Sequence, residues 1–169
     1  MEGSPRLERW LGDATGTVTA FLEHLVGEPI DADVGLHVTT AAAPDNALGV
    51  AAGRPLLARS ALLTGRRTAR PYVYAESLID PGLLSEDARR RLATSRDPIG
   101  RILGDEGLAV RREPLDGPVG VLSPAPAGRT RATGDHLLAR TYRLGVAGVP
   151  VMVITEWFLP SLQPFLTGA

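Results

Sequence analysis

The residue with the clearest chemical consequence is a single acid, Glu156, in an otherwise apolar segment. Residues 149–160 have the composition of a buried strand. An unpaired carboxylate in a protein core is strongly destabilising, so such a residue needs a partner or a ligand. Alternation along the strand places Glu156 on one face with Met152, Ile154 and Phe158.

Arg59 is a second charged residue among apolar neighbours. On a strand it shares a face with Leu57, Ala61 and Leu63. A guanidinium there can bind a carboxylate through two hydrogen bonds, and Glu156 can act as acceptor or base at the other end of the same ligand. The alternative is that Arg59 and Glu156 form a structural ion pair with each other, and the residues alone leave both interpretations open.

The composition excludes several kinds of site. The chain of 169 residues has neither cysteine nor lysine, so all 18 basic residues are arginine. Thiol nucleophiles, thiolate metal ligands and lysine chemistry are therefore excluded. His24, His37 and His136 lack the spacing of a metal motif, and neither a nucleophile elbow nor a phosphate loop is present. We predict a site that uses no metal and no cofactor.

Charge and hydropathy indicate a soluble protein with a small-molecule ligand. There are 19 acidic residues, the net charge is −1, and no basic run is combined with aromatic residues as in nucleic-acid-binding surfaces. The N-terminus lacks a signal-peptide core, and no apolar run is long enough to cross a bilayer. We predict one cytoplasmic domain, residues 1–169, that binds neither nucleic acid nor membrane.

The elements that must position the two charged residues follow from periodicity. We predict strands at 56–63, 72–79, 108–115, 137–144 and 151–158, and a strand opening within 32–39. Helices are predicted over 17–26 and from Ser85, and a short helix or turn over 98–103. The strands come in adjacent pairs without regular strand–helix alternation. This pattern predicts an α+β fold: a single, mostly antiparallel sheet with helices packed on one side and an internal ligand cavity between them.

Three further segments carry separate expectations. Arg101 and Arg111 each lie among apolar residues, so each can turn inward to bind an anion, although a surface arginine with its stem along apolar neighbours is the alternative. The proline- and glycine-rich residues 116–134 are predicted to form a mobile loop that serves as a lid.

Several motifs resemble the chorismate lyase family. The segment Thr155-Glu-Trp-Phe-Leu-Pro160 resembles the family's Thr-Glu-x-Phe-Leu-Pro signature at the end of its closing hairpin. Pro98-Ile-Gly-Arg101 resembles its Pro-Leu-Gly-Arg motif, and Leu57-Ala-Arg59 resembles its Leu-Arg at the start of a strand. The resemblance implies an antiparallel sheet with helices over a buried site, and a carbon–oxygen lyase that converts chorismate into 4-hydroxybenzoate and pyruvate by elimination and aromatisation.

The resemblance also implies roles for particular residues. Arg59 would hold the ring carboxylate and Glu156 would face the hydroxyl end and accept the C4 proton, while Ile99 and Val18 would form apolar walls. Arg111 falls at a matching arginine of the family, and either it or Arg101 is a candidate for steadying the departing enolpyruvate.

The sequence departs from the family pattern at two places near the expected site. Val18 stands where the family enzyme has methionine, and Ala75-Glu76-Ser77 stands where it has a basic segment. These departures keep open the alternative of an enzyme of the same fold recruited to a different reaction on a related cyclic acid in secondary metabolism. A second alternative is a non-catalytic small-molecule-binding domain, because effector-binding domains of some bacterial transcription regulators share the fold that the resemblance implies.

Overall fold

A single antiparallel sheet of six strands forms the centre of the described part of the chain. The computed structural model describes residues 5–13, 17–108, 110–116, 121–122, 126, 129 and 134–167. Its strands are β1 (Ile30–Ala41), β2 (Pro55–Gly65), β3 (Pro71–Ile79), β4 (Val110–Leu115), β5 (Leu138–Val146) and β6 (Val149–Phe158). They lie in the order β1-β2-β3-β6-β5-β4, and all neighbouring pairs are antiparallel. The predicted α+β fold with one antiparallel sheet is therefore confirmed.

The strand bounds agree with the predicted ranges to within a few residues, except at β1. This strand is 12 residues long and pairs only with β2 at one edge of the sheet, whereas the sequence indicated a short strand within 32–39. Much of β1 is exposed. An edge strand of mixed polarity lacks the apolar alternation on which strand prediction depends.

The helices with described bounds pack against one face of the sheet, here called the helical face, as predicted. They are α1 (Pro5–Asp13), α2 (Val18–Val26), α3 (Glu86–Thr94), α4 (Ile99–Asp105) and α5 (Gln163–Leu166). Leu7, Leu22 and Leu166 of α1, α2 and α5 pack with Phe158 in one apolar cluster. A second cluster joins α3 and α4 to the same face of β2, β3, β5 and β6. Among the described residues no helix is long and apolar enough to cross a membrane.

Local capping explains where two of the predicted helices begin. The side chain of Thr17 accepts a hydrogen bond from the backbone N–H of Ala20 at the start of α2, and Gly27 ends this helix with φ of 71°. Ser85 accepts from the backbone N–H of Ala88 at 3.0 Å. The Thr17 cap fixes the end of α2 that lines the cavity described below.

The opposite face of the sheet, here called the far face, carries a different set of contacts. Tyr74 and Trp157 pack together with ring centroids 5.5 Å apart. Glu76 is fully buried here, and the Arg129 guanidinium binds both of its oxygens at 2.5 Å. Arg129 also donates to the carbonyl oxygen of Leu122 at 2.6 Å. These contacts attach part of residues 116–134 to the far face.

The prediction that residues 116–134 form a lid is contradicted by three of the described residues in this segment. Most of this segment lies outside the described residues. Its described members Leu122, Pro126 and Arg129 lie against the far face, so the sheet separates them from the helices. A lid over a cavity on the helical face therefore does not come from these three residues.

Glu28 fixes the turn between β2 and β3 and gives the fold a pH-dependent element. Its carboxylate accepts hydrogen bonds from the Thr68 hydroxyl at 2.6 Å, the Arg67 backbone N–H at 2.9 Å and the Tyr72 hydroxyl at 3.1 Å. The bond from Thr68 is the largest influence, and these bonds lower the pKa of Glu28 below its ordinary 4.5 although burial opposes them. The ionised form is therefore favoured in the folded state.

We expect Glu28→Gln to lower the free energy of unfolding at neutral pH by about 1–3 kcal/mol, because strong acceptors for buried donors are lost. A depressed folded-state pKa contributes stability above the unfolded value, and this contribution disappears as the pH falls through the folded-state pKa. The difference in free energy of unfolding between the wild type and Glu28→Gln should therefore become smaller below pH 4.5. Urea unfolding across this range measures it, with the exposed Asp45→Asn as control. An equal difference at every pH would contradict this role.

Candidate active site

A cavity of about 240 Å³ lies between the helical face of the sheet and helices α2 and α4. Arg59 of β2 and Glu156 of β6 both line it, as do Val18 of α2 and Ile99 of α4. The four residues that the sequence placed around one ligand are thus brought together. The volume lies just below the usual range of drug-sized pockets, which suits a small metabolite.

Strand register determines how Arg59 and Glu156 face each other. Arg59 pairs with Ser77 of β3, Ser77 pairs with Ile154 of β6, and Glu156 lies two residues farther along. With a strand spacing of about 4.8 Å and a rise of about 3.4 Å per residue, their Cα atoms are roughly 12 Å apart. Ala75 and Ser77 lie on the strand between them and line the cavity. The small side chains leave room for a flat ring.

Arg59 is a buried cation whose charge has no described counterpart. Arg59 is only 3% exposed, and its Nε and Nη2 atoms have no hydrogen-bond partner among the described residues. Burial lowers the pKa of Arg59 to about 10, so the guanidinium stays protonated at neutral pH. His37, opposite on β1, has its pKa lowered by burial and by Arg59. A buried, unpaired guanidinium is costly, and an anion bound in the cavity removes that cost.

Glu156 is bound by Arg140 and Tyr142, and not by Arg59 as one interpretation of the sequence proposed. Its Oε2 accepts a hydrogen bond from Arg140 Nε at 2.8 Å, and its Oε1 accepts one from the Tyr142 hydroxyl at 2.7 Å. The interpretation that Arg59 and Glu156 form a structural ion pair with each other is therefore wrong. Burial, followed by the charge of Glu156, raises the pKa of Tyr142, so this hydroxyl remains a donor.

The orientation of Arg140 is itself fixed by aromatic rings. Its guanidinium lies 5.0 Å from the Tyr142 ring centroid and 5.6 Å from that of Phe158. Cation–π contacts and the ion pair act on the same planar group. The carboxylate of Glu156 is consequently held from two sides and presented to the cavity in one orientation.

Comparison with known proteins supports a specific family. The family model described as "Chorismate pyruvate-lyase Rv2949c-like" matches residues 11–166. The chain belongs to this lyase family. The chorismate pyruvate-lyase of Mycobacterium tuberculosis (strain H37Rv) is 34% identical over 119 residues, which cover 67% of this chain and 57% of that protein. The chorismate pyruvate-lyase of Mycobacterium leprae is 30% identical over 162 residues, 91% of this chain and 74% of that protein.

Solved structures share the fold of this lyase-family chain at low sequence identity. PhnF from Mycobacterium smegmatis superimposes with a TM-score of 0.57 at 13% identity, covering 88% of this chain and 66% of that one. The C-terminal domain of the histidine utilization repressor from Pseudomonas syringae gives a TM-score of 0.53 at 12% identity, with 78% and 92% covered. At these identities the likeness shows the fold alone.

Two arginines that the family resemblance placed near the ligand lie elsewhere in this lyase-family chain. Arg101 donates from Nη2 to Glu23 at 2.5 Å and from Nη1 to Asp97 at 3.3 Å, and it does not line the cavity. Arg111 is exposed and also lies off the cavity wall. The predicted role of both arginines at the ligand is therefore wrong. Arg101 lies on a helix face that contacts acidic residues of neighbouring segments, and alternation along β4 directs Arg111 away from the cavity.

Arg112, the neighbour of Arg111, is the residue that reaches the cavity. It lines the wall, its Nε atom is buried without a described partner, and its guanidinium lies 5.7 Å from the Tyr142 ring centroid. Since successive residues of a strand face opposite sides, only one of two adjacent arginines can face inward. The sequence already favoured an inward Arg112, because it lies two residues after the apolar Val110 and so shares its strand face.

The unexpected acid of the family comparison does not enter the cavity. Glu76 projects from the far face, where Arg129 and Tyr74 bind it. Its neighbours Ala75 and Ser77 are the ones that face the ligand space. The departure at these three positions therefore adds no acid to the cavity wall.

Proposed function

We propose that this chain is a chorismate pyruvate-lyase that converts chorismate into 4-hydroxybenzoate and pyruvate. The observation that carries the proposal is the buried Arg59 guanidinium, which has no partner among the described residues for its Nε and Nη2 atoms and lies at one end of a cavity whose other end holds Glu156. Family membership and the names of the mycobacterial relatives support the same reaction. We treat the chain as one domain, because all described strands belong to one sheet.

Arg59 has the geometry to orient the substrate. Chorismate carries a ring carboxylate, an enolpyruvyl ether at C3 and a hydroxyl at C4. The planar guanidinium binds the ring carboxylate through parallel hydrogen bonds, and the ring lies over Ala75 and Ser77. This places C4 and its hydroxyl toward Glu156, so that binding energy at one end positions the reacting atoms at the other.

Glu156 then acts as hydrogen-bond acceptor or base at C4. A carboxylate has about four lone-pair sites, and Arg140 and Tyr142 occupy one on each oxygen, so acceptor capacity remains. When the C4 proton leaves, its bonding electrons form the third ring double bond, and the C3–oxygen bond breaks toward the enolpyruvate oxygen. The enolpyruvate takes up one proton and becomes pyruvate. The atoms therefore balance without a further reactant.

The apolar wall strengthens these interactions. Val18, Ile99 and Leu103 cover the ligand space from the helices. Exclusion of water lowers the local dielectric constant, so the Arg59–carboxylate attraction and the acceptor at C4 both gain strength. Aromatisation provides the driving force, and the protein contributes orientation and charge.

Incubation of the purified protein with chorismate tests the proposal directly. We expect equimolar 4-hydroxybenzoate and pyruvate by chromatography, at a rate above the spontaneous decomposition of chorismate. A variant without the guanidinium, Arg59→Met, is the control for catalysis by contaminants. Binding of 4-hydroxybenzoate without any conversion of chorismate would instead favour a ligand-binding domain, or an enzyme recruited to a related cyclic acid.

A further inference from the structure

The charges on the described part of the cavity wall do not cancel. Three charged side chains line it: Arg59, Arg112 and Glu156. The charge of Glu156 is matched by its ion pair with Arg140. Among the described residues, Arg59 has no hydrogen-bond partner for its buried Nε and Nη2 atoms, and the half-buried Arg112 has none for its buried Nε atom; neither forms an ion pair with a described acid. The wall therefore presents two uncompensated positive charges to a ligand.

The two arginines lie on opposite sides of the ligand space. Arg59 is on β2 and Arg112 on β4, with β3, β6 and β5 between them. Along the strand direction Arg59 is level with Tyr142, through the pairs that link β2 to β5. Glu156 lies two residues to one side of this level, and Arg112 lies two residues to the other, since Tyr142 is paired with Pro114. A single anionic group cannot contact both guanidinium groups at this separation.

We propose that the cavity takes a dicarboxylate and that Arg112 binds its second carboxylate. This inference rests on the proposed function and deepens it: Arg59 binds the ring carboxylate, and Arg112 binds the carboxylate of the enolpyruvyl ether. Tyr142 positions Arg112 through the contact between its ring and the guanidinium. Arg112 lines the cavity, whereas Arg101 and Arg111 do not, so Arg112 is the arginine that contacts the enolpyruvyl carboxylate.

One consequence is discrimination between substrate and aromatic product. 4-Hydroxybenzoate has one carboxylate, so it satisfies Arg59 and leaves Arg112 unpaired. The buried Nε–H of the half-buried Arg112 then stays without a described partner, which is unfavourable, so the monoanion gains less from the cavity than the dianion. Cleavage of the ether divides the two carboxylates between two products, and neither product alone compensates both arginines.

Binding of two inert probes to Arg112 variants tests the inference. The probes are 4-hydroxybenzoate and 3-(carboxymethoxy)-4-hydroxybenzoate, which adds a second carboxylate on an ether at the position of the enolpyruvyl group. By calorimetry we expect Arg112→Gln to weaken the binding of the dicarboxylate probe by about tenfold or more, the scale of one charge-assisted hydrogen bond. The affinity for 4-hydroxybenzoate should stay within about twofold, which also shows that the variant is folded. Arg112→Lys should recover part of the loss, and the exposed Arg111→Gln should change neither affinity.

The outcomes separate this inference from the proposed function. Equal weakening of both probes in Arg112→Gln would show that Arg112 only shapes the cavity, and would overturn the inference. So would unchanged affinity for the dicarboxylate, even if the wild type converts chorismate. If the wild type binds neither probe and converts no chorismate, the proposed function itself fails. A raised KM for chorismate with nearly unchanged kcat in Arg112→Gln supports the inference.

Discussion

Replacement of Glu156 by glutamine should lower the turnover of chorismate by at least about a hundredfold, the low end of a general-base contribution. Glutamine keeps the shape and one acceptor oxygen but cannot take the C4 proton. Because Arg59 is untouched, 4-hydroxybenzoate should still bind. Steady-state kinetics with chorismate measure kcat and KM separately, and a fall mainly in kcat is expected.

The far face provides a matched control for this experiment. Glu76, like Glu156, is buried on a central strand and bound by one arginine and one tyrosine, here Arg129 and Tyr74. Glu76→Gln should disturb the protein in a comparable way but leave turnover nearly unchanged. Full activity in Glu156→Gln would show that this carboxylate only orients the ligand. An equal loss in both variants would point to damage to the sheet instead.

Removal of the Arg59 guanidinium should weaken ligand binding strongly and stabilise the empty protein. In Arg59→Met, binding of 4-hydroxybenzoate should weaken by roughly a hundredfold or more, since a bidentate charge-assisted contact is lost. Without ligand, the free energy of unfolding should rise by about 1–3 kcal/mol, because a buried cation without a described partner is replaced by an apolar side chain. Arg59→Lys keeps the charge without the planar fork, so its binding should weaken by about 1.5–3 kcal/mol.

Calorimetry with 4-hydroxybenzoate and urea unfolding in its absence measure the two effects. The opposite signs are informative, because residues retained for function often reduce stability. If Arg59→Met unfolds at a lower urea concentration than the wild type, the guanidinium has a structural partner and the argument for an anion at this position fails.

The sequence predicted the central strands and the two residues at the ends of the cavity because their patterns were strong. Residues 149–158 form an apolar run, and a lone carboxylate within such a run is informative whatever the fold. Residues 56–63 give the same signal around Arg59. Weak patterns were missed or only partly recognised: the short helix α1 (Pro5–Asp13) was not predicted, and the exposed edge strand β1 was predicted too short.

The partners of Glu156 were beyond prediction because they depend on strand register. Ala147 and Gly148 form the turn between β5 and β6, both with positive φ, and the first pairs beyond it are regular. A register shift then occurs between Leu144 and Gly145. Without this irregularity, residue 139 would face Glu156, and with it Arg140 does. A one-residue shift exchanges the two faces of a strand, so sequence periodicity alone could not have assigned the ion pair.

The distribution of the site over five strands has a consequence for how the protein responds to ligands. Residues from β2, β3, β4, β5 and β6 wall the cavity, and they are far apart in the chain. A ligand that contacts them together is bound only by the assembled sheet, so it stabilises the cooperative unit and not one local segment. At a hundredfold excess over Kd the gain is about 2.7 kcal/mol. Slower hydrogen exchange should then appear in β2 and β6 together, and cyclic acids can be ranked by the melting temperature they produce.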